Sequence, residues 1–189
     1  MDITNQELLE ISLKIESDGK NFYSELAEMV DDPKVRDFFK LMSREEALHE
    51  KQFKRLIELK GLEQIAGENN PSLREFIDRE FQTDIFPPTK EVIDQLPKIG
   101  GIQKALEIAM DAERIVGEFF RLMQDSCDDI EIKTILTILE KAESEHLERV
   151  KSFKAKFLND DNWSLPPRKE VNNSDNYFQN PLFYFIITT

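Results

Sequence analysis

The sequence predicts an all-α fold: a four-helix bundle made of two helix hairpins, joined by one long crossover that holds short helices of its own. Three observations predict it. Apolar residues recur at alternating steps of three and four along four long segments, which marks one buried face on each of four helices. The halves of the chain repeat at a fixed offset of 97 positions: Leu9 with Leu106, Glu16 with Glu113, Phe22 with Phe119, Asp32 with Asp129, Glu46 with Glu143 and His49 with His146. That period is too long for a solenoid and fits two hairpins facing each other about a pseudo-twofold axis. Finally, 189 residues with only six glycines and few Val/Ile/Thr alternations offer little to a sheet.

Each element has its own signals. Thr4 and Glu7 form a capping-box pattern, so the first helix starts near Asn5 and runs to about Val30. Asp31-Asp32-Pro33 supplies a cap and a first-turn proline for the second, which runs to about Lys60 and stops at Gly61. The short connection makes the two antiparallel neighbours. Residues 62 to 100 form the crossover, too long to be structureless in a compact domain. Asn70-Pro71 opens one short helix to about Phe81, and Thr89 opens another to about Leu96. Gly100-Gly101 precedes the third long helix, which ends near Gln124. Asp128-Asp129 starts the fourth, which ends near Leu158. Residues 1–158 are therefore expected to form the bundle domain, and residues 159–189 a C-terminal tail.

The apolar stripes are interrupted at equivalent places. The first reads Leu9, Ser12, Glu16, Gly19, Tyr23, Leu26, Val30. The third reads Leu106, Ala109, Glu113, Val116, Phe120, Met123. The second reads Phe39, Met42, Glu46, His49, Phe53, Leu56, and the fourth Leu136, Leu139, Glu143, His146, Val150, Phe153. In Glu46-x-x-His49 and Glu143-x-x-His146 the carboxylate and imidazole share a face one turn apart, so each pair can grip one metal ion. A carboxylate buried alone is costly, and such groups are normally paired or metal-bound. Four carboxylates balance two divalent cations when both imidazoles are neutral. The pattern thus points to a two-metal site. Carboxylates with imidazole suit iron first, with manganese or zinc as alternatives.

With these residues in place, the chain resembles the ferritin-like di-iron carboxylate proteins, and among them the rubrerythrin branch. That class takes one Glu from each of two helices and Glu-x-x-His from each of the other two. The resemblance covers residues 5 to 158, and the run Glu16-Ser17-Asp18-Gly19-Lys20-Asn21-Phe22-Tyr23 also looks like a rubrerythrin first helix. It implies two iron ions held by Glu16, Glu46, His49, Glu113, Glu143 and His146. It implies a di-iron oxidoreductase that couples Fe(II) oxidation to two-electron reduction of peroxide or dioxygen. An external electron donor such as a rubredoxin and a homo-oligomer, a dimer by preference, would accompany it. An iron-storage or ferroxidase protein is the alternative. Two departures stand out. Rubrerythrins carry a second glutamate three residues after the helix-three ligand, where this chain has Val116. They also end in a four-cysteine rubredoxin domain, which a chain with one cysteine, Cys127, cannot form.

Side chains around the stripes carry weaker signals. Tyr23 lies two turns from Glu16, and reads as a core aromatic, as a phenol hydrogen-bonded to a ligand carboxylate, or as one that supplies an electron. Its repeat partner is Phe120, which has no hydroxyl. Arg114 belongs at the stripe's edge, and Glu45, Glu50 and Glu145 face solvent or neighbouring helices. Cys127 reads as an ordinary thiol near an interhelical turn.

Composition closes off other classes. A formal net charge of −13 argues against nucleic acid and anionic membrane as partners. No stretch reaches the roughly 18 apolar residues of a membrane span. A single cysteine fits a reducing compartment, and Met1-Asp2-Ile3-Thr4 opens no signal-peptide pattern, so a cytoplasmic location is expected. In the tail, the polar run Asn172-Asn173-Ser174-Asp175-Asn176 reads as a linker to an aromatic end from Tyr177 to Ile187. That end is either a tail that frays or folds back on the bundle, or a docking peptide for a partner or shell.

Overall fold

The computed structural model describes residues 4–60, 70–81, 84–87, 89 and 99–159. These form five helices: α1 Asn5–Met29, α2 Pro33–Lys60, α3 Pro71–Glu80, α4 Ile99–Asp125 and α5 Ile130–Asn159. No strand occurs among the described residues. The architecture is the expected all-α one, with hairpin α1–α2 joined to hairpin α4–α5 by a crossover that contains α3. The proposed helix at Thr89–Leu96 and the tail from residue 160 lie outside the described residues, apart from Thr89 itself, which sits in a turn.

Side-chain oxygens fix where the helices begin. Thr4 accepts from the Glu7 amide at 3.1 Å, and Glu7 accepts from the Thr4 amide at 2.8 Å, so two amides that the helix itself leaves without partners are satisfied reciprocally. Asp32 accepts from the amides of Lys34 and Val35. Its repeat partner Asp129 does the same for Glu131 and Ile132. Asn70 caps α3 through the Leu73 amide, with Pro71 in the first turn. The Arg36 guanidinium reaches back to the Val30 carbonyl, tying the end of α1 to the start of α2.

One boundary differs from expectation. Gly100-Gly101 lies inside α4 rather than ahead of it. Glycine costs a helix about 1 kcal/mol relative to alanine. Burial of Ile102, Ala105 and Leu106 on the next turn outweighs that cost and carries the helix back through the pair.

The four stripes meet in one core. Leu9, Tyr23, Leu26, Phe39, Met42, Phe53, Leu106, Ala109, Phe120, Met123, Leu136, Leu139, Val150 and Phe153 are all buried. Backbones approach most closely within each hairpin; between hairpins the large side chains span the gap. Phe38 of α2 stacks on Phe153 of α5 with ring centroids 3.9 Å apart, and Phe53 of α2 meets Phe120 of α4. Fully burying side chains of this size contributes roughly 1.5–3 kcal/mol each. The one polar residue of the α1 stripe outside the acidic centre, Ser12, donates to the Leu8 carbonyl and so leaves no unmet donor.

The crossover completes the core at one point. Phe86 is buried against Phe22 and Tyr23. Its ring lies directly over Gly19: a Cβ added there would sit 3.0 Å from the ring edge and 3.5 Å from the Glu46 carboxyl carbon. The repeat partner of Gly19 is Val116, which is itself buried. One half therefore fills this space with its own side chain, while the other leaves it open for a ring from the crossover.

Candidate metal centre

The middle of the bundle is acidic and buried. Glu16, Glu46, Glu113 and Glu143 are 0–3% exposed, and His49 and His146 are buried beside them. Each comes from the centre of its own stripe, so the repeat brings two similar halves face to face. His49 Nδ1 lies 2.8 Å from Glu143 Oε1, 3.6 Å from Glu16 Oε2 and 3.7 Å from Glu46 Oε2. His146 Nδ1 lies 3.0 Å from Glu46 Oε1, 3.4 Å from Glu143 Oε2 and 3.5 Å from Glu113 Oε2. The rings stack with centroids 5.0 Å apart. Inward-facing atoms of Glu46, His49, Glu143 and His146 all fall within 4.8 Å of one another, a spacing suited to a bound cation.

These are close approaches without hydrogen bonds. Both Glu16 oxygens, both Glu143 oxygens, Glu46 Oε1, Glu113 Oε2 and the Nδ1 atoms of both histidines are buried with no hydrogen-bond partner. Eight such atoms converging on one point would be very costly if nothing else met them. They are the atoms that a metal ion would take. The donor set, carboxylate oxygen and imidazole nitrogen, fits two divalent ions of the iron, manganese or zinc type.

The metal-free charge state follows from crowding. Burial, and next the charge of Glu143, hold the Glu16 carboxyl well above the ordinary carboxylate range. Burial, and next Glu46, push Glu113 up to about 8. Burial works against Glu143 ionising too, but the flanking imidazoles outweigh it and hold that carboxyl low. Both imidazoles are raised well above the ordinary histidine range: burial opposes their charge, and the surrounding carboxylates overcome it, led by Glu143 for His49 and Glu46 for His146.

Tyr23 is both a core aromatic and a polar partner. It is fully buried, and its hydroxyl donates to Glu113 Oε1. Burial and then the Glu113 charge keep the phenol protonated far above its ordinary value. Phe120, at the equivalent place in the other half, is buried without any such group.

The remaining candidates divide. Arg114 is exposed and pairs with Asp111 on its own helix. Glu145 is exposed. Glu50 is half-buried and bridges Lys20 of α1 and Lys54. Cys127 is buried in the turn between α4 and α5. Glu45 is more closely involved than the sequence indicates. From α2 it accepts from His146 Nε2 at 3.1 Å and from the Arg149 guanidinium, both on α5. Burial raises its carboxyl, but the His146 and Arg149 contacts win and lower it to about 2. A second feature missed by sequence reasoning is the Phe86 ring over Gly19. For Glu45 the available signal was its place immediately before Glu46; for Phe86 there was none.

A family model described as rubrerythrin matches residues 7–154. No curated protein sequence matches the chain significantly. Among solved structures, a ferritin-like diiron-carboxylate protein from Thermotoga maritima superposes with a TM-score of 0.69 at 17% identity, covering 82% of this chain and 97% of that one. A hypothetical protein from Pyrococcus furiosus gives 0.61 at 21% identity, covering 83% and 92%. At such identities the likeness speaks to fold. None of the described helices is long and apolar enough to cross a membrane.

Proposed function

Because this chain belongs to the rubrerythrin family, we propose that its bundle, residues 1–158, is a di-iron oxidoreductase that reduces peroxide or dioxygen. The observation that carries the reading is the set of eight buried, partnerless nitrogen and oxygen atoms on six side chains around one point. Glu16 and His49 would hold one iron, Glu113 and His146 the other, with Glu46 and Glu143 between them. Iron held by these residues would supply the redox chemistry, one electron from each ferrous ion, enough for a peroxide to take two electrons and two protons and leave as two waters.

The protein's own part is positioning and exclusion. Tyr23 occupies Glu113 Oε1 with its proton, so that carboxylate offers Oε2 inward and is tethered against swinging. Phe86, buried over Gly19 beside the Glu46 carboxyl carbon, would help keep bulk water from that carboxylate. Reducing equivalents would come from an external donor such as a rubredoxin. A second reading, iron storage or handling with Fe(II) as substrate, draws support from Val116: an aliphatic side chain there leaves Glu113 as the one α4 ligand, as a ferroxidase centre would have it. Cytoplasmic location and a homodimer belong to the same proposal.

Anaerobic Fe(II) loading followed by peroxide or dioxygen, watched by absorbance with and without a reductant, tests it. Fast oxidation with repeated turnover supports the oxidoreductase. One round of oxidation followed by retention of ferric ion supports the storage reading. No oxidation faster than free Fe(II) in solution overturns both.

A further inference from the structure

The two halves of the centre share their inward-facing residues but differ behind the imidazoles. Behind His146 stands Glu45, whose Oε2 lies 3.1 Å from His146 Nε2 and also takes a donor from Arg149. Glu45 is on α2 and His146 on α5, so this contact crosses between the hairpins. Behind His49 the 97-residue repeat places Ala142 where Glu45 would be, and Gln52 where Arg149 would be. The repeat supplies no carboxylate at that position.

We propose that Glu45 is a positioning residue for one of the two metals, fixing the His146 imidazole through its outer nitrogen and strengthening the ion held by His146 and Glu113. The inference rests on the two-metal reading above. A carboxylate paired with a guanidinium can only accept, so His146 Nε2 must carry the proton. In the neutral ring Nδ1 is then a lone pair, and Nδ1 is the atom facing Glu46, Glu113 and Glu143. A carboxylate behind an imidazole both selects this tautomer and makes the inner nitrogen a better donor, and loss of such a partner typically weakens metal binding about 10- to 100-fold. His49 has no counterpart at the equivalent position, so the effect belongs to one ion of the pair.

The chain has two histidines, which makes the test unusually direct. Full-length protein is titrated anaerobically with Co(II), and the stepwise binding constants are compared for wild type, Glu45→Ala, Glu45→Gln and the control Glu50→Ala. In parallel, long-range proton–nitrogen correlation of the Zn(II)-loaded protein reports the tautomer and the Nε2 proton of each ring. The expected result is that Glu45→Ala weakens one step about 10- to 100-fold and leaves the other within a factor of about three. The Nε2 proton of His146 becomes fast-exchanging, and that of His49 is unchanged. Glu45→Gln, which still accepts through its amide oxygen, restores the slow Nε2 proton and part of the affinity; Glu50→Ala matches wild type. Equal weakening of both steps, no weakening in Glu45→Ala, or failure of Glu45→Gln to restore the proton would each overturn the assignment. Wild type binding fewer than two ions would overturn the metal reading itself, a different result from two ions bound with Glu45 irrelevant.

Discussion

Loading the centre with metal should expel protons. Glu16, Glu113, His49 and His146 are all shifted upward in the metal-free protein, and whatever proton each holds must be lost when a carboxylate or neutral imidazole ligates. With Glu113 near 8, about nine-tenths of that carboxyl is protonated at pH 7. Filling both positions should therefore release about one proton from Glu113 alone, with any held by Glu16, His49 and His146 added to it, and binding should tighten as pH rises. Stability of the metal-free fold should move the other way. A carboxyl raised on folding binds its proton more tightly in the native state, so its contribution is complete below the unfolded pKa and is lost as pH rises through the folded one. For Glu113 that window runs from about 4.5 to about 8 and is worth on the order of 5 kcal/mol. Glu143, held low, contributes the opposite slope, but only in strong acid. Zn(II) titration in weakly buffered solution with a pH indicator counts the protons directly. Denaturant unfolding at pH 5.5 and 8.5, with and without Zn(II), measures the stability change. No proton release on filling the site, or metal-free protein more stable at pH 8.5 than at 5.5, would refute the charge assignment.

Other expectations follow from the same geometry. Elemental analysis of anaerobically loaded protein should find two ions per chain, and Glu143→Ala, which removes the carboxylate 2.8 Å from His49 Nδ1, should abolish paired binding. Saturating metal at 100 times its Kd should add about 2.7 kcal/mol per site, visible as a raised Tm; identical melts would contradict it. Gly19→Ala should gain about 1 kcal/mol of helix propensity. It should lose more than that, by about 1–2 kcal/mol net, because Phe86 is wedged between the new methyl, Phe22 and Tyr23. Adding Phe86→Leu should recover much of the loss in denaturant unfolding, and a Gly19→Ala protein more stable than wild type would show that the ring moves freely. Val116→Glu should raise steady-state peroxide turnover with an external rubredoxin as donor. If wild type already turns over at the rate of rubrerythrins and the substitution adds nothing, the missing carboxylate is immaterial.

What could be read in advance depended on whether period or tertiary contact decided it. That Glu16, Glu46, Glu113 and Glu143 face inward was readable because helical spacing alone says which residues share a buried face. The helix starts at Thr4, Asp32, Asn70 and Asp129 were readable because each cap acts within a few residues of itself. Gly100-Gly101 misled because its intrinsic cost is local, whereas the burial that overrides it comes from packing against other helices. Lying off the stripe, Glu45 could be read only as facing solvent or a neighbouring helix; the hairpin-to-hairpin contact with His146 and Arg149 decides for the helix and gives it a role. Phe86 was invisible for the same reason, being placed by a segment with no periodicity. Tyr23 lay between, its burial expected from the stripe and its hydroxyl's partner fixed only in three dimensions.

The closeness of the backbones within each hairpin, against the wider gap between them, has a consequence for the order in which the molecule is built. Each hairpin has its cap and its short turn within one run of sequence, so it can form early from local encounters. Docking the two comes later and must bury Glu16, Glu46, Glu113 and Glu143 together with His49 and His146, which costs these groups their hydration. The slow step of assembly then lies where the two halves meet, and a divalent cation present during refolding should speed that step while leaving hairpin formation untouched. Ions that fill the proposed centre would then act first as partners for the groups buried where its two halves close.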